Sequence, residues 1–219
     1  MLCDAAGLLR VHTETHSLAH SLPSPASSVA HRSLAGGGVD VAVACWDARI
    51  YLFRNLDIQE SQSGELQLPQ PEVLHSHSAR VWSVRYSNSK SFLASSSFDN
   101  RIVLHDASTL SITRVLSAPD ATPRDIAFTC DDARLVVSTA SPVVLMWDIA
   151  SNTVLHTFQH ELWAWTTTAS PSAPLAVTGS EDLSIKVWDS RTGWSYICCE
   201  FRTTIDIVQL FLQALTRQR

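Results

Sequence analysis

The chain has little charge, no surplus of positive charge and no long apolar run, and each shortage excludes a class of protein. Charged residues make up 17% of its 219 residues and the formal net charge is −5, whereas a nucleic-acid-binding protein needs a clustered positive field. No apolar stretch reaches the roughly 18 residues that a membrane-spanning helix requires. We therefore expect neither a nucleic-acid partner nor a membrane span.

The five cysteines show no CxxC spacing. An odd number without a framework is typical of reduced thiols and of the cell interior. The amino-terminal stretch has no basic segment, and Asp4 interrupts its short apolar start, so we expect no signal peptide. These features predict an intracellular protein, cytoplasmic or nuclear.

Motifs that carry chemistry are also missing. The sequence has no Gly-rich phosphate loop, no GxSxG elbow and no HExxH, which argues against the common hydrolases. His12, His16 and His20 recur every four residues and would share one face of a helix, an arrangement that can bind a metal. The strands predicted there, and Pro23 and Pro25 that follow, argue against a helix. We expect no enzymatic activity, no catalytic residue, no cofactor and no metal.

What the chain does contain is a repeated pattern, in which an Asp precedes an Ile by three residues and a ring by six. The three copies are Asp47, Ile50 and Phe53; Asp99, Ile102 and His105; and Asp182, Ile185 and Trp188. A fourth copy keeps Trp147 and Asp148 but has Ser141 in place of the first Asp. The turn positions 47, 99, 141 and 182 are 52, 42 and 41 residues apart. The pattern predicts four structural repeats.

Each repeat reads as four short strands, rich in β-branched or apolar residues and separated by turn residues. A period of about 40–45 residues with a closing Trp-Asp resembles the WD40-repeat family, and the resemblance covers about residues 1–195. It implies an all-β WD40 β-propeller, with a partial blade at 1–21 and fuller blades at 26–75, 76–117, 118–159 and 160–200. The polar stretch 55–71 accounts for the longer first interval.

Four blades and a fraction are fewer than the seven common in that family. An open stack of blades has unpaired strand edges at both ends. Three explanations stay open: a fragment of a larger propeller, an unusual number of blades, or pairing with another chain. Residues 201–219 form a divergent tail that resembles no blade element. We interpret it as non-native sequence from an altered reading frame, with a capping helix as the alternative.

The resemblance also implies a hydrogen-bonded set in each blade, made of a His, a Ser or Thr, the turn Asp and the Trp. The most complete set is His160, Asp182 and Trp188, with Thr178 or Ser180. A partial set contains His77 and Asp99, with His105 in the place of Trp. The third repeat has Pro119 and Ser141 at the His and Asp positions, so we expect no set there, and the first repeat has no His in register. Such a group looks like a catalytic triad, but its recurrence in successive repeats favours a structural role.

Family members often bind partners on the face that carries the start of the first strand and the residue before the turn Asp. By register, this face predicts exposed Arg80, Phe98, Arg124 and Trp163, and Trp and Arg are the residue types that dominate interface energetics. Because side chains alternate along a strand, Trp82 and Trp165 are the alternative core residues of these neighbourhoods.

The predicted function is a non-enzymatic scaffold for protein–protein interactions, whose partners are other proteins in a multiprotein complex. Residues 175–191 offer an alternative. They end in Trp188, Asp189, Ser190 and Arg191 and resemble a box found in WD40 substrate receptors of cullin-4 ubiquitin ligases. In that case Arg191 would contact the ligase adaptor through its planar guanidinium.

Overall fold

The computed structural model describes residues 2–3, 8–12, 17–56, 69–117, 121–193 and 195–200, with side chains placed for 21–56, 69–117 and 121–193. In these ranges the chain forms strands and turns and no helix, so the all-β prediction is confirmed. The tail 201–219 lies outside the described residues, as do His16 and most of the polar stretch 55–71.

Nineteen strands follow one another along the chain. They are β1 (Leu2–Cys3), β2 (Leu8–His12), β3 (Ser17–Ser21), β4 (Ala26–Ser33), β5 (Val39–Cys45), β6 (Ile50–Leu56), β7 (Glu72–Leu74), β8 (Val81–Tyr86), β9 (Phe92–Ser97), β10 (Arg101–Asp106), β11 (Ile112–Ser117), β12 (Pro123–Phe128), β13 (Arg134–Thr139), β14 (Val143–Asp148), β15 (Thr153–Gln159), β16 (Ala164–Ala169), β17 (Leu175–Ser180), β18 (Ser184–Asp189) and β19 (Ser195–Glu200). His12 and His20 lie on β2 and β3, two paired strands.

Consecutive strands pair into one three-stranded sheet and four four-stranded sheets, each a simple up-and-down meander. We call them blade I (β1–β3), blade II (β4–β7), blade III (β8–β11), blade IV (β12–β15) and blade V (β16–β19). Four consecutive short strands in one sheet are the unit of a WD40 β-propeller. The fold class is therefore the WD40 propeller class.

The chain divides into two compact units, Met1–Pro123 and Arg124–Arg219. The first contains blades I to III, and the second contains blades IV and V, except that β12 begins at Pro123.

In the first unit, one of two buried clusters lies between blades II and III. Ile50 and Leu52 of blade II pack in one buried cluster with Val81, Val84 and Leu93 of blade III. A single four-stranded sheet cannot bury both of its faces, so stacking a second blade removes the apolar face of the first from water.

The second unit repeats this packing between blades IV and V. Met146 and Phe158 of blade IV share a buried cluster with Ala164, Ala176 and Trp188 of blade V. The rings of Phe158 and Trp188 stack with their centroids 4.3 Å apart. Each unit thus positions its loops on a rigid, close-packed support.

Candidate binding face and hydrogen-bonded anchors

Every four-stranded blade closes its central turn with a side-chain oxygen that accepts a backbone N–H two residues later. This acceptor is Asp47 Oδ1 for Arg49, Asp99 Oδ1 for Arg101, Ser141 Oγ for Val143 and Asp182 Oδ1 for Ser184, at 2.8–3.2 Å. Such side chains stabilise a turn by imitating a backbone acceptor. Ser141 therefore replaces the turn Asp of blade IV in this bond, although it has no carboxylate for a histidine.

Blade V contains the most complete anchor, made of four side chains. His160 Nδ1 lies 3.1 Å from Asp182 Oδ2, and His160 Nε2 lies 2.7 Å from Thr178 Oγ1. Trp188 Nε1 donates to the same hydroxyl at 2.8 Å. With the imidazole proton on Nδ1, each polar atom has a partner, since Thr178 donates to His160 and accepts from Trp188. The structure thus brings together His160, Asp182 and Trp188, with Thr178 and not Ser180 as the link.

The charges in this anchor follow from burial and hydrogen bonding. Burial lowers the pKa of His160 below its ordinary value, and the Asp182 carboxylate opposes this only in part. Burial by itself would raise the pKa of Asp182, but hydrogen bonds from Ser184 and from the Glu161 N–H lower it well below its usual range. At neutral pH the anchor therefore holds an ionised Asp182 beside a neutral imidazole.

The anchor of blade III has the same kind of His–Asp pair as blade V but a different residue at the Trp position. His77 Nδ1 lies 3.0 Å from Asp99 Oδ2, and His77 Nε2 lies 2.8 Å from Ser95 Oγ. His105 occupies the place of the Trp, but its Nε2 lies 2.6 Å from Ser76 Oγ instead of meeting Ser95. Burial lowers the pKa of His105 to about 4, and the nearby His77 contributes to this decrease.

Blade II uses a tyrosine where the other two anchors use a histidine. Tyr51 Oη donates to Asp47 Oδ2 at 2.7 Å. The sequence analysis did not identify this residue. Tyr51 could be recognised in the sequence as a hydrogen-bonding ring four residues after the turn Asp, on the strand that follows the turn. The other two anchors instead use a His that precedes the turn Asp by 22 residues.

These groups differ from a catalytic triad in their accessibility. The side chain of His160 is fully buried, and Thr178 is buried with its hydroxyl shared between His160 and Trp188. A nucleophile must reach a substrate and have an adjacent base free to take its proton. The geometry therefore fits a device that fixes the turn against the start of the first strand.

Each four-stranded blade has a candidate binding face, formed by three equivalent positions: the residue before the first strand, the second residue of that strand, and the residue before the turn acceptor. A backbone hydrogen bond joins the outer two positions, from Trp46 N to Pro25 O, from Phe98 N to Arg80 O, and from Glu181 N to Trp163 O. The middle position coincides with a register shift in blades II, III and V. An extra residue in one strand re-aims its side chain.

The first patch on this face lies in the first unit and contains Trp46, Arg80, Trp82 and Phe98. The guanidinium carbon of Arg80 lies 4.4 Å from the centroid of the Trp46 ring. The rings of Trp82 and Phe98 meet edge to face at 6.5 Å. Phe98 is 58% exposed and Trp46 is 42% exposed. This is a contiguous aromatic surface with one cation, which we call the Arg80 patch.

The second patch lies in the second unit and contains Arg124, Leu162, Trp163, Trp165 and Glu181. The guanidinium carbon of Arg124 lies 4.3 Å from the Trp165 ring, whose centroid is 5.7 Å from that of Trp163. Burial lowers the pKa of Arg124, and the charge of Glu181 opposes this effect. We call this surface the Trp163 patch.

Trp82, Trp165 and Arg124 are placed differently from the sequence expectations. Trp165 is 40% exposed and Trp82 is half-buried, so the alternation argument for two core tryptophans is wrong for Trp165. The register shifts at Trp82 and Trp165 explain the difference for these two residues, because alternation holds only in a regular strand. Arg124 is half-buried against Trp165, whereas Arg80, Phe98 and Trp163 are exposed.

Arg191 lies in the turn that follows β18. Its backbone N–H and its guanidinium both donate to Asp189, at 2.8 and 3.3 Å. Its side chain is 67% exposed, so it lies within reach of a partner.

Two further findings concern other kinds of site. Within the described ranges, no group of three or more His, Cys, Asp and Glu side chains is arranged to hold a metal ion. In the same part of the chain, no helix is long and apolar enough to cross a bilayer.

Comparison with known proteins identifies the repeats. The family described as "WD domain, G-beta repeat" matches residues 69–106 and 152–189. The WD repeat domain-containing protein 83 homolog of Dictyostelium discoideum is 31% identical over 123 residues, which is 55% of this chain and 38% of that protein. Human Striatin-4 is 29% identical over 131 residues, or 55% of this chain and 17% of that protein.

A subunit of a larger assembly is also similar. Subunit I of eukaryotic translation initiation factor 3 from Aspergillus terreus is 31% identical over 96 residues, or 43% of this chain and 29% of that protein. In each of these three alignments the chain spans well under half the length of the relative. The repeat matches and the four-stranded blades together show WD40 repeats in this chain, without assigning a subfamily.

Proposed function

We propose that the chain is a non-enzymatic platform that binds other proteins inside the cell, through the Arg80 patch and the Trp163 patch. The observation that carries the proposal is the exposure of large aromatic side chains whose rings contact arginine guanidinium groups. Aromatic and arginine side chains dominate the energetics of protein interfaces. Rigid presentation also lowers the entropy lost on binding.

The relatives support this proposal by their names. One is a subunit of a translation initiation factor, and the others are named only by their repeats or as a striatin. WD40 propellers serve many different processes, so the fold by itself selects no pathway. The proposal therefore extends to membership of a multiprotein complex and to no particular complex.

The test is quantitative affinity purification of the full chain and of two double variants. Phe98→Ala with Arg80→Ala removes the centre of the first patch, and Trp163→Ala with Trp165→Ala removes the centre of the second. We expect either pair to lower the recovery of stoichiometric partners at least about thirtyfold, because truncating a hot-spot residue costs about 2–4 kcal/mol.

Matched controls are available on the outer strands. Ile112→Ala on β11 of the first unit and Leu155→Ala on β15 of the second truncate exposed apolar side chains on outer strands, each outside the patch of its own unit. These variants should keep the wild-type partners. Variants of both patches that retain the fold by circular dichroism and also retain every partner would contradict the proposal.

A second candidate function is that of a substrate receptor of a cullin-4 ubiquitin ligase, contacting the adaptor through Arg191. The exposure of Arg191 on a turn held by Asp189 favours it. Arg191→Ala should abolish pull-down of the purified adaptor, while Arg114→Ala, an exposed arginine on β11, should not. Equal adaptor recovery with both variants would exclude this role.

A further inference from the structure

Arg80 differs from most of the described arginines in the way its charge is balanced. Arg32, Arg49, Arg54, Arg134 and Arg191 each lie within 4.0 Å of a carboxylate. Arg80 is exposed, and among the described residues its guanidinium contacts the Trp46 ring and forms no ion pair. A cation fixed on an aromatic plane without an internal counter-charge is suited to an external anion.

The stacking leaves the donor groups of Arg80 available. A guanidinium stacks through its flat face, and its five N–H donors lie in the plane, around the edge. The guanidinium carbon of Arg80 lies over the Trp46 ring, 4.4 Å from its centroid, and among the described residues the guanidinium donates no hydrogen bond. The edge can therefore still bind both oxygens of a carboxylate, with less side-chain entropy to lose than for a freely rotating arginine.

The neighbouring rings define what should accompany that carboxylate. The Phe98 N–H donates to the Arg80 carbonyl at 2.9 Å, which fixes the two residues side by side. The exposed Phe98 ring meets Trp82 edge to face. An apolar side chain next to the carboxylate would lose water against these rings.

We propose that the Arg80 patch binds a short acidic segment of a partner protein, with an Asp or Glu carboxylate on Arg80 and an adjacent apolar side chain against Phe98. This inference rests on the proposed function and specifies the partner of the same face. A polyphosphate chain fits less well, because such a polymer is held by several cations, whereas this patch has one and the chain carries a net charge of −5.

The test starts from random short peptides displayed on phage and selected on the full chain. The selected peptides should be enriched in Asp or Glu next to an apolar residue. A synthetic copy of the most enriched peptide, titrated by fluorescence polarisation, should bind Arg80→Gln at least about tenfold more weakly, because charge-assisted bidentate pairs are the strong ones. The affinity of Arg80→Lys for the peptide should fall between those of the wild type and Arg80→Gln, since lysine keeps the charge and loses the planar guanidinium.

The controls separate this inference from the proposed function. Arg114→Gln, on β11 of the same blade, removes another exposed arginine and should bind the peptide like wild type. Changing the acidic peptide residues to Asn or Gln should weaken binding to the wild-type chain by the same factor as Arg80→Gln. The peptide change and Arg80→Gln together should weaken binding no further. Peptides that need Trp46 and Phe98 but not Arg80 or an acid would overturn the inference and leave the proposed function standing.

Other occupants give different results. A selection that yields no peptide sensitive to Trp46→Ala or Phe98→Ala would overturn the acidic-segment inference, while the affinity purification of both double variants still decides the proposed function. A single-stranded oligonucleotide that binds more tightly than the peptide and depends on Arg80 would overturn the acidic peptide in favour of phosphate. Concentration-dependent self-association in sedimentation that Arg80→Gln abolishes would assign the patch to a second copy of the chain.

Discussion

Thr178 is a small residue on which two buried nitrogens depend. Its hydroxyl accepts from Trp188 Nε1 and lies 2.7 Å from His160 Nε2, and all three side chains are buried. A valine has almost the same shape but no hydroxyl. Replacing Thr178 with valine therefore separates the contribution of the hydroxyl's hydrogen bonds to stability from the contribution of packing.

We predict that Thr178→Val lowers the free energy of unfolding by about 2–4 kcal/mol, because it strands a buried donor and a buried acceptor. Urea denaturation followed by Trp fluorescence measures this. Thr178→Ser, which keeps the hydroxyl, should cost less than half as much. A serine variant as unstable as the valine variant would assign the effect to packing.

At the scale of the strand, a buried arginine joins blades II and III. Arg32 on β4 lies 2.8 Å from Asp40 on β5, and its guanidinium donates to the carbonyls of Lys90 and Ala107 in blade III. It also lies over the Tyr86 ring at 5.4 Å, and burial raises the pKa of this tyrosine to about 12. The arginine thus satisfies loop carbonyls of the next blade.

We predict that Asp40→Leu lowers the free energy of unfolding by about 3–5 kcal/mol, because it leaves a buried cation without its carboxylate. The double variant Arg32→Met with Asp40→Leu should recover part of this loss, since both charges are then gone. Urea denaturation of the three proteins measures the coupling.

The control pair lies on the surface of the same blade. Arg49 and Asp47 are 3.6 Å apart with an exposed arginine, so Arg49→Met should cost less than about 1 kcal/mol. If Asp40→Leu and the double variant lose the same free energy of unfolding, the Asp40 carboxylate does not balance the charge of Arg32.

At the scale of the whole molecule, buried histidines make stability depend on pH. Burial lowers the pKa values of His77 and His105 in the first unit and of His160 in the second. Unfolding exposes each imidazole to water, where its pKa returns to about 6.5. Below that value the unfolded chain binds more protons than the folded one, so stability is lost as the pH falls.

We predict that the free energy of unfolding decreases between pH 7 and pH 4, and that His105 accounts for on the order of 3 kcal/mol of this decrease. Its pKa of about 4 in the folded state sets the lower limit of its window. Urea titrations at a series of pH values measure it. His105→Phe should flatten the curve over this interval.

The exposed His75 offers the matched control for this prediction. His75→Phe makes the same imidazole-to-phenyl change at the surface, so a flattening seen only in His105→Phe is assigned to the buried site. Curves for His105→Phe and the wild type that run parallel would show that the buried imidazole is not the source of the acid sensitivity.

The repeat spacing was sufficient to predict the all-β repeat class, because a strand–turn pattern is local in the sequence. The turn residues at 47, 99, 141 and 182 each lie between the second and third strands of a blade. His160 and Asp182 are 22 residues apart, and the equal spacing of His77 and Asp99 predicted two anchors, which the structure places at 3.1 and 3.0 Å. Repetition made long-range partners predictable.

Local irregularities were not predictable from periodicity. The register shift at the second residue of β16 turns Trp165 outward, and the pattern of side chains contains no mark of an extra residue. Two hydrogen bonds were likewise not predictable. Tyr51 pairs with Asp47, and His105 with Ser76, because the folded backbone brings their atoms within 3 Å.

The sequence by itself determined the all-β class, the four repeats and the chemical types on the candidate binding face, because these follow from composition and from the spacing of turn residues. Only the tertiary structure decided which of those side chains meet water, and that Arg80 forms no ion pair among the described residues. Exposure and charge balance are set by neighbours on other strands and in other blades. Those neighbours are fixed by packing and hydrogen bonding between segments that are distant in the chain.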